Sequence, residues 1–231
     1  MKKLIILGAG GAGWDIVSLT NAINAIKPEW EVLGFLDDNE ALWGRTFVGK
    51  KVLGSIDTCG DYSEAFFVSS IANPTNRIIR RKIWDRVKGK GLRFATLIHP
   101  SVVIYDNVII DEGSVVNANC VLGTGAHLYE DVHLGYGCNI AHETQLKEHT
   151  SLGSGVNLSS GVVVGSDCYI GAGVSSTHDI TIKPDTLIAV GSAVVTNATA
   201  KDIDMWIGVP AVADKKYIEE LTLKKSLKNK L

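Results

Sequence analysis

The sequence has no excess of positive charge: 23 Lys and Arg stand against 25 Asp and Glu, a formal net charge of -2. Without a basic stripe to neutralise phosphates, a nucleic-acid partner is not expected. No window approaches the roughly 18 consecutive apolar residues that a membrane span needs. The opening MKKLIILGAGGAG places two lysines before an apolar run, but glycine interrupts that run after LIIL. It reads as a first β-strand rather than a secretory signal, and cytoplasmic residence is the expectation. Cysteine is sparse: Cys59, Cys120, Cys138 and Cys168 are far apart and form no CxxC pair. Neither a zinc site nor a disulfide framework is suggested, and reduced, mostly buried thiols are expected. The histidines contain no His-x4-His pair of the kind that holds zinc across a subunit boundary, so no metal is expected.

What is present divides the chain in two. Apolar residues make up 45% of it, enough for one large core or two modest ones. Residues 1–97 alternate strand-like and helix-like stretches: LIILGA, an amphipathic run from Trp14 to Ile26, EVLGFLDD, AFFVSSI, NRIIRRKIWDRV and FATLI. That order predicts a small parallel βαβ sheet with helices on its faces.

From residue 98 the period becomes six. Every sixth residue from Ile98 to Val194 is aliphatic except Ser176. The residues four places after these, from Val108 through Cys120, Ala126, Thr144 and Val162 to Ser192, are all small or β-branched. Six residues advance an α-helix by about 240°, so no helix can keep this phase on one face. Each hexad is expected to make one short strand and one turn, stacked into a solenoid. Gly123, Gly135, Gly153, Gly165 and Gly171 are expected at corners, where the backbone bends sharply or takes positive φ.

The hexads resemble the left-handed β-helix acyltransferases, with three hexads to a coil. Together with LGAGGAG, FLDD, IAHE (Ile140–Glu143) and GVPA (Gly208–Ala211), they make the whole chain similar to the NeuD/PglD-type sugar acyltransferases. The resemblance implies a Rossmann-like nucleotide-sugar-binding domain over 1–97, a left-handed parallel β-helix over 98–212 and a C-terminal helical tail over 213–231, in which lysines mix with Ile218, Leu221 and Leu223. It also implies transfer of acetyl from acetyl-CoA to the amine of a nucleotide-linked sugar, commonly a UDP-sugar, by a homotrimer with active sites between subunits. O-acetylation of a sugar hydroxyl or sialic acid, and a non-catalytic nucleotide-binding scaffold, are the rival readings.

Acetyl transfer to an amine needs a base for the proton, and histidine suits that task at neutral pH. His142 sits near a corner of the hexad frame, followed by Glu143, which would fix its tautomer. His178 occupies the same phase two coils later and is followed by Asp179; with Ser160 between the two histidines, it suits a ligand contact. His149, with Asp131 and Asp167 eighteen residues to either side, reads as a solvated charge ladder. Gly8-x-Gly10-x-x-Gly13 follows a strand and opens a helix, so its amides can cradle phosphate. Formally this is also a dinucleotide fingerprint, but such a site uses two βαβ halves, and a single nucleotide fits the short domain better. By resemblance, Gly11, Ala12, Gly13, Asp37, Asp38 and Asn73 hold the nucleotide-sugar, and Ser151, Ser160, Ala172 and Val190 lie along acetyl-CoA; His178 joins the cofactor contacts by its place in the hexad frame. The sequence departs from the family pattern at Ala12, Gly135 and Ser151, where His, Asn and His are common, which bears on the acceptor sugar.

Overall fold

The computed structural model describes residues 1–201 and 205–213. The expected C-terminal helix over 213–231 lies outside the described residues, apart from Ala213, which pairs as a strand.

Strand β1 (Lys2–Leu7) leads through α1 (Gly11–Ile26) to β2 (Trp30–Leu36), and a β3 (Thr46–Phe47) and β4 (Lys50–Gly54) hairpin precedes β5 (Phe66–Ser69), α2 (Ile79–Lys88) and β6 (Arg93–Phe94). The sheet order is β3-β4-β2-β1-β5-β6, parallel except for β3 against β4. Because strand side chains alternate between faces, Leu4 and Ile6 of β1 pack toward Ile16 and Val17 of α1. Ile5 and Leu7 pack toward Ile83, Trp84 and Val87 of α2. This is the small βαβ domain expected from the sequence.

The hexads then wind a three-sided prism. Register partners are eighteen residues apart throughout, as in Val115 with His133, Val121 with Asn139 and His127 with Gln145, all parallel. The first face begins at Leu97–Ile98, the second at Val103–Ile104 and the third at Ile109–Ile110. The aliphatic ladder fills the interior, where Leu122, Leu128, Leu134, Leu146 and Val164 are fully buried. Ser176, the one break, is satisfied there: its hydroxyl accepts the Ser159 N–H at 3.1 Å and its carbonyl the Ser159 hydroxyl at 2.7 Å.

The small positions carry more than size. Cys120, Cys138, Thr144 and Thr150 donate to the carbonyls of Gly135, Gly153, Ser159 and Gly165, each fifteen residues on, at 2.8 to 3.2 Å. A polar hydrogen at this place ties one coil to the next inside the core. All four cysteines are free and buried, as expected.

The corner glycines need a correction. Positive φ falls on every sixth residue from Asn107 to Gly191, and none of the five glycines singled out above is among them. A Cβ at Gly123, Gly135, Gly153, Gly165 or Gly171 would instead lie 2.7 Å or less from the backbone nitrogen of the next coil. Those glycines permit close stacking; the left-handed positions are filled by other glycines and by Asn, Asp, Glu143 and His149.

Candidate active site

The prism presents three ridges, and the predicted residues distribute over all of them. His142, Ser160 and His178 stack on the ridge between the second and third faces: Gly161 N–H donates to the His142 carbonyl at 3.0 Å and Asp179 N–H to the Ser160 carbonyl at 2.9 Å. Ala172 and Val190 lie on the ridge between the first and second faces, where Gly191 N–H donates to the Ala172 carbonyl. The third ridge carries Asp131, His149, Asp167 and Asp185, and α2 docks along it.

On the first of these ridges His142 and Glu143 are 62% and 78% exposed, with Nδ1 and a carboxylate oxygen 3.6 Å apart. That is ion-pair range and longer than a hydrogen bond. His178 and Asp179 close the equivalent gap to 2.9 Å. Glu143 is held at φ +59°, a conformation that costs an L-residue with a side chain roughly 1–2 kcal/mol. His149, the other bulky residue at a left-handed turn of the prism, is buried against Asp131 and Trp84. Glu143 shares this left-handed place with the other hexad turns and, unlike His149, stays exposed. Beside these residues a groove of about 500 Å³ runs over the second face, lined by Gly123, Asn139, Ala141, Asn157, Ser159 and Ser176 among others.

The glycine loop divides into two kinds of glycine. A Cβ at Gly13 would strike the Gly8 carbonyl at 2.5 Å, and Gly8 has φ +99°. Gly10 and Gly11 have open space around them, so the chain itself does not require glycine there. Helix α1 has no side-chain cap and no acid in its first turn, which leaves its N-terminus suited to an anion. Asp37 accepts the amides of Ala9 and Asn39, both at 2.8 Å, and so joins the loop to the end of β2. Asp38 turns the other way: it accepts from Ser55 and the Ile56 amide and pairs with Arg86 at 2.7 Å. Burial alone would raise its pKa, but the bonds from Arg86, Ser55 and Ile56 outweigh it and hold the carboxyl below its ordinary value. Asn73 accepts from the Thr75 amide and hydroxyl.

The sequence reading passed over Trp14 and Trp43, half-exposed aromatics beside the loop. Their indoles donate to the carbonyls of Ala9 and Asp37. Isolated tryptophans give no periodic signal that could have marked them. Asp15, one turn into α1, meets Tyr136 on the ridge between the first and second faces; burial first, then this carboxylate, raises the tyrosine pKa. The loop therefore stands beside one edge of the second face and His142 at the other edge. Tyr136 and His142 are six residues apart, at most about 20 Å of extended chain.

Two expectations fail at the third ridge. The Asp131, His149 and Asp167 column is no solvated ladder: all three are buried beneath α2. Arg80, 2% exposed, pairs with the Asp131 carboxylate at 2.8 Å and donates to its carbonyl and to the Ser151 hydroxyl. Arg81 pairs with Asp167 and Arg77 with Asp185. Ser151, expected along acetyl-CoA, is buried in this seam as an Arg80 partner, out of reach of a ligand on the exposed ridges. Burial would raise the pKa of Asp131, but the Arg80 charge, the nearby His133 ring and the bond from His149 reverse that and push it far down. Burial, then Arg80, pushes His133 below its ordinary value.

A prism of hexad coils with exposed histidine–acid pairs, joined to a small nucleotide-type domain, is the architecture of the NeuD/PglD-type sugar acyltransferases, and the chain is similar to them. It is 28% identical over 144 residues to a GDP-perosamine N-acetyltransferase of Escherichia coli O157:H7, an alignment spanning 60% of this chain and 61% of that relative. The acetyltransferase domain of PglB from Neisseria gonorrhoeae FA1090 superposes over 93% of this chain and 100% of its own, with 26% identity and a TM-score of 0.81. PerB from Caulobacter crescentus, solved in complex with CoA and GDP-perosamine, matches 93% of this chain and 98% of its own at 22% identity, with a TM-score of 0.81. No family model matches the chain. Among the described residues, no helix is long and apolar enough to cross a membrane, and no group of His, Cys, Asp and Glu is placed to hold a metal ion.

Proposed function

We propose that the chain transfers an acetyl group from acetyl-CoA to the amine of a nucleotide-linked amino sugar, with His142 as general base. The observation that carries this reading is the exposed His142–Glu143 pair, on a strained turn at the edge of a long groove whose opposite edge adjoins the uncapped N-terminus of α1. The helix amides and Asp37 suit a diphosphate and its ribose; the imidazole suits removal of a proton as nitrogen attacks the thioester. The N-acetyltransferase name of the Escherichia coli relative favours an amine over a hydroxyl acceptor. Glu143 lies one side-chain rotation from Nδ1, and closing that gap would leave Nε2 free to act as the base. Because the loop and His142 occupy opposite edges of one face, packing of copies around that face would bring one protomer's loop to another's imidazole, and a homotrimer fits this arrangement.

The relatives' printed substrate is GDP-linked, whereas the family resemblance implies UDP-sugars, and the two nucleotides differ only in the base. The test is therefore acetyl transfer measured side by side on UDP- and GDP-linked sugars bearing an amine or a hydroxyl at the same carbon. Acetylation confined to the amino sugars is expected. Preferred acetylation of the hydroxy sugars would replace this reading with an O-acetyltransferase, and failure to bind acetyl-CoA in calorimetry would leave only the scaffold.

A further inference from the structure

The His142 ridge carries two histidine–acid pairs, and the proposed chemistry uses one. His178 and Asp179 repeat the geometry of His142 and Glu143 two coils on: each acid sits at a left-handed turn, at φ +54° and +59°. The second pair is the better formed, with Nδ1 and the Asp179 carboxylate 2.9 Å apart. Gly161, at the left-handed turn one coil before, lies against the Asp179 carboxylate. The groove on the second face runs from Val121 and Gly123, one coil before His142, past Ala141 to Ser176, two residues before His178. The one polar break in the interior ladder, Ser176, falls at this same end.

We propose that His178, oriented by Asp179, accepts a hydrogen bond from the second amide N–H of the pantetheine arm while the thioester lies at His142. The proposal rests on the acetyl-CoA reading above and assigns the donor a direction along the groove. Two coils at the usual strand spacing separate the imidazoles by about 10 Å. In a pantetheine thioester, seven bonds separate sulfur from the second amide nitrogen, about 9 Å when extended. With Nδ1–H donated to Asp179, the neutral ring presents Nε2 as an acceptor, which matches an amide N–H. His178 is 74% exposed, so its replacement leaves the core intact.

Steady-state kinetics with two donors tests this. Acetyl-CoA carries both amides, whereas S-acetyl-N-acetylcysteamine keeps the first and ends before the second. For His178→Ala the expected result is a KM for acetyl-CoA raised about tenfold, the worth of one hydrogen bond, with kcat and the cysteamine donor unaffected. His178→Gln, whose carbonyl accepts, should recover most of the loss. Asp179→Asn would donate to Nδ1 and move the ring proton to Nε2, so it should raise KM like the alanine variant. An equal penalty on both donors, or none on either, would overturn the proposal. Absence of transfer by the unsubstituted chain from either donor would overturn the acyltransferase reading, and this proposal with it.

Discussion

Replacing His142 with alanine is expected to lower kcat about 10²- to 10⁴-fold, the usual contribution of a positioned general base, while calorimetry shows acetyl-CoA binding unchanged. The side chain is exposed and supports no core contact, so its loss removes chemistry without removing structure. Glu143→Gly should separate function from folding still further. Glycine takes φ +59° without penalty, so the variant is expected to be about 1 kcal/mol more stable in urea unfolding. Its turnover should nevertheless fall, because nothing then orients the imidazole. Undiminished turnover by His142→Ala would reject the base assignment. A destabilised Glu143→Gly would show that the turn is not strained.

The second large effect belongs to the seam. Arg80→Ala leaves the Asp131 carboxylate buried and uncompensated, a change that typically costs about 3–5 kcal/mol. Urea unfolding should register that loss, and Arg80→Met combined with Asp131→Asn should recover most of it, since a neutral amide needs no counter-charge and asparagine tolerates the left-handed turn. The pH dependence follows in sign. Asp131 titrates lower folded than unfolded, so its contribution is present above its unfolded pKa near 3.9 and is lost as pH falls toward the folded value. His133 is also depressed, so below its unfolded pKa of about 6.5 protons bind the unfolded chain preferentially. Both groups predict stability falling on acidification, beginning near pH 6.5. A flat profile between pH 7 and 5 would contradict the buried network.

The hexad ladder was legible because a solenoid has one strong rule: an aliphatic residue every six places or an exposed interior. The His142 ridge followed from the same frame, since eighteen residues return the chain to the same edge. The docking of α2 did not follow. Asp131 and Asp167, with His149 between them, read as a solvated ladder, and nothing in the spacing of Arg80 and Arg81 marks them as the partners that cover it. Ser151 was misplaced for the same reason, because its burial is created by Arg80, far away in sequence. The family resemblance treats Asp37 and Asp38 alike, yet consecutive side chains at a strand end point apart: Asp37 toward the glycine loop, Asp38 toward Arg86.

The most direct measurement of the central claim is a crystal structure of the chain with CoA and a nucleotide-linked amino sugar bound together. The sugar amine is expected within hydrogen-bonding distance of His142 Nε2, the CoA sulfur beside it, and the diphosphate on the amides of Gly11 and Ala12. A CoA thiol on the first face, with His142 exposed to solvent and touching neither ligand, would contradict the account.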